Sequence, residues 1–336
     1  MRAYFLRRFL LIPPTLIGVT LIAFAITWIA PGGPIERYVA EMQLAGEGRS
    51  DATAGRALSA EQIEEMKAYY GFDKPFPLAY LSWLGNILRG DFGRSFIYNE
   101  PVLCVIASKL PVSIYFGIMT FIFTYGVCIP LGMLKAIRHR TFLDNSSSIL
   151  VFAGYAIPNY VFGSILILLF SAQLEWFPLG GFVGDDFGER SFFGKIGNLL
   201  HHTTLPLLCY LIGSFAFLTL LMKNNLMDNL AADYMRTAVA KGVSFDQAVF
   251  KHAFRNSIIP IATTFGQNLL FFVTGSFLIE VIFDIDGFGL LGFRAIVDRD
   301  YFTVMGILTI TSFLILLGNI VSDMLVAMVD PRIRFN

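Results

Sequence analysis

Long apolar runs constrain the fold of this sequence more than any other feature. Only 15% of its 336 residues are charged, whereas soluble domains carry about 25%. An α-helix of about 20 apolar residues crosses the hydrocarbon core of a bilayer. Six runs reach that length, at 9–30, 111–134, 147–172, 203–222, 257–283 and 303–329. The sequence therefore predicts an all-α integral membrane protein with six transmembrane helices.

Basic residues between these runs predict the orientation of the chain. Lys and Arg are about twice as dense in one set of intervening segments as in the other, and the positive-inside rule places the denser set in the cytoplasm. The denser set is 1–8, 135–146, 223–256 and 330–336, and the sparser set is 31–110, 173–202 and 284–302. We therefore expect a multi-pass protein with both termini in the cytoplasm. The first run is too long for a cleaved signal peptide, so 1–30 is expected to contain a retained helix.

The segment 31–110 is the longest between two predicted membrane helices. A capping-box pattern at Ser59 predicts a short amphipathic helix that ends before Gly71. A second helix is predicted over 78–88, with its leucines on the apolar face. These leucines are Leu81, Leu84 and Leu88. Such an insertion either covers helix ends or docks a soluble partner, and both roles stay open.

Two helix signals follow one another in the predicted cytoplasmic segment 223–256. Residues 228–241 are helical in pattern, Gly242 suits the left-handed residue after a helix, and Ser244 begins a second capping box. A plain linker has no need of such a stop and restart, so the pattern indicates a docking element. Its small residues would allow the backbone of a partner protein to approach closely. Its basic residues would make the surface of the segment positive.

This pattern resembles the EAA loop of ABC-importer permeases. Arg236-Thr237-Ala238 stands where that family has Glu-Ala-Ala, Gly242 matches its glycine, and Pro260 matches a proline 18 residues further on. Arg236 replaces the usual glutamate. The form Arg-Thr-Ala-x-Ala-Lys-Gly is similar to the peptide/nickel branch of the family.

Stretches similar to that branch occur along nearly the whole chain. They are Ala30-Pro-Gly-Gly-Pro34, Tyr70-Gly-Phe-Asp-Lys-Pro75, Gly90-Asp-Phe-Gly-Arg-Ser95, Leu110-Pro-Val-Ser113, Arg299-Asp-Tyr301 and Asp330-Pro-Arg-Ile-Arg334. The long first outer segment resembles that of the B-type permease. The nearest resemblance is to permeases for oligopeptides and the peptide antibiotic microcin C.

The resemblance implies a type I ABC-importer permease fold, with an extracytoplasmic helical insertion at 31–110 and a permease core at 111–336. It implies a subunit of a bacterial inner-membrane peptide importer that pairs with a second, related permease. Two ATPase subunits or domains would bind ATP and Mg on partner chains, and an extracytoplasmic binding protein would deliver the solute. This chain would hold no cofactor, metal or nucleic acid and would have no catalytic residue.

The same resemblance implies a coupling loop within 223–256 that grips the ATPase. The residues implied to take part in coupling are Asp233, Tyr234, Arg236, Thr237, Ala238, Ala240, Lys241, Gly242, Ser244 and Pro260.

Alternative functions have less support from the residues. Nickel or another small solute is an alternative substrate within the branch. A secondary transporter or channel would need ionisable residues in mid-membrane, whereas only Glu280 and Asp323 lie in predicted membrane helices, both near helix ends. The sequence lacks the GxxxxGK[ST] pattern, so we expect it not to hydrolyse ATP.

Three polar residues in the last two predicted helices are candidates for contacts at the gate of a transport path or between packed membrane helices. Glu280 is predicted either to form a gate ion pair with Arg294 or Arg299 or to reach the membrane surface. Asp323 follows Asn319 by one helical turn, and interhelical hydrogen bonding is expected there.

Two further motifs have more ordinary interpretations. Gly287, Gly289 and Gly292 fit GxGxxG, but they follow a membrane helix rather than a strand, so a tight turn is expected instead of a dinucleotide site. His201 and His202 are adjacent and would point about 100° apart on a helix. An interface pair is therefore expected there rather than a metal site.

Overall fold

The computed structural model of the protein describes residues 2–29, 64, 73–265 and 275–329. Across these residues the chain is helical, with connecting turns and one isolated bridge between Arg94 and Pro101. The all-α class predicted from the sequence is therefore confirmed.

The helices are numbered α1 to α13 in chain order. They are α1 Arg2–Ile29, α2 Phe76–Leu88, α3 Val102–Ile137, α4 Phe142–Ala156, α5 Asn159–Leu166, α6 Phe192–Ala231, α7 Asp233–Ala240, α8 Phe245–Ala248, α9 Phe254–Ser257, the described part of α10 at 259–265, α11 Phe277–Ile282, α12 Phe288–Val297 and α13 Tyr301–Val329. A π-helical turn, Ile167–Gln173, continues α5, and a second, Val249–Ala253, joins α8 to α9.

Four helices in the described ranges are long and apolar enough to cross a membrane. They are Leu6–Ile29, Val102–Ile137, Phe192–Ala231 and Tyr301–Met328. The pair Phe142–Ala156 and Asn159–Gln173 forms a fifth if it is counted as one span, although it is bent by 96°. The run predicted at 257–283 includes residues 266–274, which lie outside the described residues. The count of six membrane helices therefore stays a prediction.

The bend in the third predicted run falls at Ile157 and Pro158. Proline has no N–H to donate and disfavours helical geometry in the residue before it. Ile157 accordingly has extended dihedral angles, with φ −91° and ψ 122°. The run at 147–172 is therefore two helices rather than one.

One compact unit comprises the described parts of Met1–Phe9, Lys109–Leu291 and Leu314–Asn336. Its largest apolar core joins the C-terminal halves of α3 and α6 to the helices that follow α6. The buried members include Met133, Met222, Leu226, Met235, Ala248, Val249 and Ala253. A second core surrounds Phe116, Cys209 and Phe283. The segment after α6 therefore shares one apolar core with α3 and α6.

The other unit comprises the described parts of Leu10–Ser108 and Gly292–Phe313. The helix predicted at 78–88 is confirmed as α2, but its packed face is aromatic. Tyr80 and Trp83 are buried against Phe24 of α1, with ring centroids 5.6 and 5.9 Å away. Leu84 also packs against this cluster, whereas Leu81 and Leu88 are 60% and 81% exposed, so the role of the leucine face stays a prediction. The helix predicted to begin near Ser59 lies outside the described residues except for Glu64, which is helical.

Two of the stretches noted in the sequence meet in this second unit. Ser95 donates a hydrogen bond to the carboxylate of Asp300, which is 1% exposed. The same carboxylate accepts a hydrogen bond from the backbone N–H of Thr303 at 3.2 Å. Asp300 therefore caps the first turn of α13 and anchors the loop after α2 to it.

Candidate functional site

The candidate coupling segment, residues 233–260, begins at a sharp corner after α6. The helix predicted across 228–241 is wrong as a single element, because the chain is extended at Ala232 with ψ 149°. Tyr234 of α7 donates its hydroxyl proton to Oδ1 of Asn229 at 2.7 Å. Nδ2 of Asn229 donates to Oγ of Ser257 at 3.1 Å. One amide side chain of α6 thus bonds to both ends of the segment, through α7 and α9.

Gly242 forms the turn between the two helical parts, as the sequence predicts. Its φ is +87°, in the left-handed region that favours glycine. The N–H of Gly242 donates to the carbonyl of Val239 at 2.9 Å, and the N–H of Val243 donates to that of Ala238 at 3.2 Å. This pair of bonds is a Schellman motif, which satisfies the last carbonyls of α7.

The second helical part begins at the predicted residue but without the predicted cap. Ser244 precedes α8, yet its side chain makes no capping hydrogen bond. The helix then widens into the π-helical turn Val249–Ala253 before it continues as α9. Such turns change the register of a helix by one residue. The boundary is therefore correct, and the side-chain part of the predicted capping box is wrong.

The inner face of the coupling segment is apolar and fully buried. Met235 is 3% exposed, and Ala248, Val249 and Ala253 are each 0% exposed. They belong to the same core as Leu226 of α6. The segment is therefore packed onto the membrane helices and is not a free linker.

The outer face contains most of the residues that the sequence singles out. The exposed ones are Asp233, Tyr234, Arg236, Thr237, Ala240, Lys241, Gly242 and Ser244. Ala238 is half-buried against the apolar core, and Pro260 is half-buried near the start of α10. Arg236 lies 3.6 Å from Asp233 in an exposed pair on α7. Nine of these ten residues are thus brought together around one turn, and Pro260 lies apart from them.

Sequence reasoning missed two aromatic residues on this surface. Phe245 and Phe250 are 49% and 64% exposed, on α8 and on the π-helical turn. Large exposed apolar side chains beside basic ones are typical of protein interfaces. The available signal was their occurrence in an otherwise polar segment.

A buried charge cluster joins α3, α4 and α6, and no local pattern in the sequence predicts it. Nζ of Lys223 donates to Oδ1 and Oδ2 of Asp144 at 2.7 and 2.9 Å. Nζ of Lys135 lies 3.2 Å from the same Oδ1, and the side chains of Lys135 and Asp144 are 0% and 3% exposed. One carboxylate therefore pairs with two ammonium groups. A buried charge needs such pairing, because desolvation would otherwise be very costly.

The remaining donors and acceptors of the cluster are also satisfied. Lys135 donates to the carbonyl of Asp144 and to the hydroxyls of Ser147 and Ser148, at 2.8, 2.8 and 2.7 Å. The backbone N–H of Arg140 donates to Oδ2 of Asp144 at 3.0 Å. The α3–α4 connection is thus bonded to α6 ten residues before the coupling segment begins.

Glu280 occupies a position that differs from both predicted alternatives. It is 1% exposed, and it forms no ion pair with any of the described residues. Its Oε2 accepts a hydrogen bond from the N–H of Leu290 at 2.6 Å. The N–H of Phe288 donates to Oγ of Ser113 at 2.8 Å. Together, these two side chains satisfy N–H groups in the first turn of α12, where a negative charge is favoured.

The glycine-rich stretch that contains Gly287 allows the Glu280 side chain to lie close to the backbone before α12. A Cβ atom on Gly287 would lie 2.7 Å from the Glu280 carboxyl group, which is too close. The expected tight turn is present, because residues 285–287 are not helical and α12 begins immediately afterwards. The motif therefore forms a close backbone approach to a buried carboxylate.

Asp323 and the histidine pair bond to other elements. Asp323 of α13 forms an ion pair with Arg8 of α1, which is an interhelical contact as expected. Asn319, one turn earlier, is half-buried.

Nε2 of His201 lies 2.8 Å from the carbonyl oxygen of Trp176, and Nδ1 of His202 lies 3.2 Å from that of Gly180. Both imidazoles therefore fix the loop that precedes α6.

Membrane-length helices, with a helical segment packed onto two of them, define an integral membrane protein. Residues 128–335, which include the coupling segment and the charge cluster, match the family described as binding-protein-dependent transport system inner membrane component. The chain belongs to this family of ABC-importer permeases, in its B-type peptide branch. It is therefore a multi-pass inner-membrane protein.

Relatives align along the entire chain. The inner membrane ABC transporter permease protein YejB of Escherichia coli O157:H7 is 40% identical, with 100% of this chain and 99% of the relative covered. The peptidoglycan transport system permease protein YejB of Agrobacterium fabrum is 38% identical, with the same coverage. The oligopeptide transport system permease protein AppB of Bacillus subtilis is 36% identical, with both chains fully covered.

Proposed function

We propose that this chain is the transmembrane permease subunit of an ATP-driven importer of peptides. It pairs with a second, related permease, and its coupling segment docks on a separate ATPase subunit that binds ATP and Mg. A binding protein delivers the peptide on the opposite side of the membrane, and both termini of this chain lie in the cytoplasm. Relatives named as oligopeptide and dipeptide permeases support the peptide substrate.

The two-faced construction of the coupling segment carries this proposal. Met235 and Val249 fix its inner face in the core. Its outer face presents Arg236, Lys241 and Phe250 to a partner. A surface that is rigidly held from below and exposed above is suited to transmit force, because displacement of the outer face must move the helices beneath it.

The path of that displacement follows the hydrogen bonds of Asn229. Closure of the ATPase subunits around ATP moves the docked α7 and α8. Tyr234 and Ser257 both bond to Asn229 at the end of α6, so α6 moves with them. The bundle thereby exchanges an inward-open arrangement for an outward-open one, and ATP hydrolysis reverses the exchange. Binding of ATP by the partner thus favours one of two packed states.

Reconstituted vesicles test this function directly. The full complex of both permeases and the ATPases is expected to hydrolyse ATP faster when the binding protein, loaded with peptide, is added outside. The triple variant Arg236→Glu, Lys241→Glu, Gly242→Pro should lose that stimulation. A control with Arg138→Glu, an exposed basic residue in the α3–α4 connection and outside the segment, should retain it. Normal stimulation of the triple variant would contradict the coupling assignment.

The same vesicles distinguish the alternative substrates and mechanisms. Accumulation of labelled nickel ions instead of peptides would favour another small solute within the branch. Uptake that follows an ion gradient and needs no ATP would favour a secondary transporter.

A further inference from the structure

A groove of about 550 Å³ lies in the second unit, between α1 and α13. Its volume is within the range of about 300–1,000 Å³ that is usual for sites that bind small molecules. One face of α1 within residues 19–27 and one face of α13 within residues 301–308 form its walls. Arg299, in the turn that precedes α13, is the one charged residue among the described residues that line it. We call this space the α1–α13 groove.

The walls of the groove are aliphatic and accessible from outside the chain. Ile22 and Ile26 of α1 are each 64% exposed, and Leu308 of α13 is 37% exposed. Beneath the groove the two helices are packed, because Ala23 of α1 and Met305 of α13 belong to one apolar core. Both helices are long and apolar enough to cross a membrane. The groove is therefore a preformed depression between two membrane helices.

The length of the groove matches the depth of one lipid leaflet. In the orientation proposed above, α1 ends and α13 begins on the outer side, so Thr27 and Tyr301 lie at the outer end of the groove. Val19 and Leu308 then lie at its inner end. At a rise of 1.5 Å per residue these stretches extend about 10–12 Å along their helices, whereas half of the hydrocarbon core is about 15 Å thick. The groove thus runs through most of one leaflet, with Arg299 at the level of the headgroups.

The backbone at Arg299 indicates that its side chain has a role. The N–H of Arg299 donates to the carbonyl of Ile296 at 3.2 Å, and the N–H of Asp300 donates to that of Ala295 at 2.9 Å. These bonds form a Schellman motif, in which the residue in the position of Arg299 is usually glycine. Arg299 has a φ of +56°, which is unfavourable for a residue with a Cβ atom. Such an outlier with an exposed cationic side chain is typical of a ligand site.

The ligand has to match both the aliphatic walls and the cation at their outer end. In a bilayer, the molecules that combine a hydrocarbon chain with an anionic group are phospholipids. A guanidinium has five N–H donors, so Arg299 can bind phosphate oxygens and keep another partner. An acidic headgroup contains no cation of its own to pair with its phosphate. It therefore gains more from a guanidinium than a zwitterionic headgroup does.

We propose that the α1–α13 groove binds an acidic phospholipid of the outer leaflet. One acyl chain lies along α1 and α13, and the headgroup phosphate accepts hydrogen bonds from Arg299. The site is separate from the coupling segment and does not depend on which solute the importer carries.

Photo-crosslinking of the full importer tests this site. The complex is reconstituted in phosphatidylcholine vesicles that contain a trace of phosphatidylglycerol with a photoreactive group midway along one acyl chain. After irradiation, peptides that include residues 19–27 and 301–308 should bear most of the lipid adducts on this chain. Unlabelled phosphatidylglycerol should compete for labelling and added phosphatidylcholine should not. Equal competition by the two lipids would overturn the preference for an acidic headgroup and with it the inference.

A charge-neutralising variant tests the role of the guanidinium. Arg299→Gln should reduce adduct formation about tenfold, as expected for the loss of a hydrogen bond between two charged groups. Arg294→Gln is the matched control, because Arg294 is also exposed on α12 but does not line the groove. It should change labelling less than twofold. Equal labelling of the two variants would overturn the assignment of the phosphate to Arg299.

A third measurement fills the groove with a bulky side chain. Val19 and Leu21 of α1 are 37% and 38% exposed, and of the two only Val19 lines the groove. Val19→Trp should reduce adducts on residues 301–308 at least fivefold, whereas Leu21→Trp should not. Adducts that form on the isolated permease but not on the full importer would show that another subunit covers the groove. That result would overturn the inference.

Discussion

Lys223 of α6 donates a hydrogen bond to Asp144 of α4 across 2.7 Å, although the two residues are 79 positions apart in the chain. The same carboxylate lies 3.2 Å from Lys135 of α3. Three helices therefore meet at one acid, and α6 leads from that point directly into the coupling segment. The cluster therefore ties α6 to α3 and α4 shortly before the coupling segment begins.

Loss of this acid is expected to destabilise the protein strongly. Asp144→Asn would leave Lys135 buried without a negative partner, a change that costs about 3–5 kcal/mol in other proteins. Chemical denaturation of the detergent-purified permease measures the effect. Asp186→Asn is the matched control, because Asp186 pairs with Arg190 at 2.7 Å on the exposed surface, where ion pairs contribute little. Similar stabilities for the two variants would show that the buried cluster does not stabilise the fold.

The turn at Gly242 is expected to tolerate no side chain. Gly242→Ala should cost about 1–2 kcal/mol, because its φ of +87° brings a Cβ atom close to the backbone. Gly197→Ala is a matched control, since a Cβ atom added to either glycine would meet no neighbouring atom within 4 Å and only Gly242 has a positive φ. The midpoint of thermal unfolding should fall for the first variant and rise slightly for the second. A fall of equal size in both would exclude the left-handed turn as the cause.

Glu280 and Gly287 should show strong energetic coupling. Gly287→Ala places a methyl group 2.7 Å from the Glu280 carboxyl group, and overpacking of this kind costs about 1–3 kcal/mol. In a Glu280→Ala background the same substitution should cost little, because the clashing atoms are gone. A double-mutant cycle on unfolding free energies measures the difference. Additive effects of the two substitutions would contradict the observed contact.

The exposed phenylalanine of the coupling segment should contribute to docking. Phe250→Ala should weaken association of the permease with its ATPase about tenfold or more, as expected for a central aromatic contact. Phe193→Ala is the control, because Phe193 is 83% exposed at the start of α6 and lies outside the segment. Association is followed by titration of the purified ATPase. Equal affinities for both variants would remove Phe250 from the interface.

Local signals in the sequence were sufficient for much of the fold. The lengths of the apolar runs predicted α1, α3, α6 and α13. Residues typical of helix ends predicted the turn at Gly242 and the start of α8. Both depend on residues close together in the chain, so one sequence contains them. The break at Ala232 has no such marker, because alanine favours a helix and only the contacts of Asn229 identify the corner.

Long-range contacts were beyond the reach of the sequence. Nothing near Lys135 or Lys223 indicates that they share Asp144, and a lysine close to a membrane helix normally reaches water. The depth of Glu280 was misjudged for the same reason, since its partner is the N-terminus of another helix. In α2, the spacing of the leucines located the helix, and the rings of Tyr80 and Trp83, which bury more surface, form its packed side together with Leu84.

The charge cluster also has a consequence for the order in which the chain is made. Asp144 emerges from the ribosome nine residues after Lys135 and 79 residues before Lys223. The α3–α4 hairpin can therefore neutralise its lysine as soon as it is synthesised, with no help from later helices. Lys223 arrives only when α6 is complete, and it then closes a long loop onto an acid already in place. The order of these residues along the chain thus allows an early hairpin to form the binding site for a late helix.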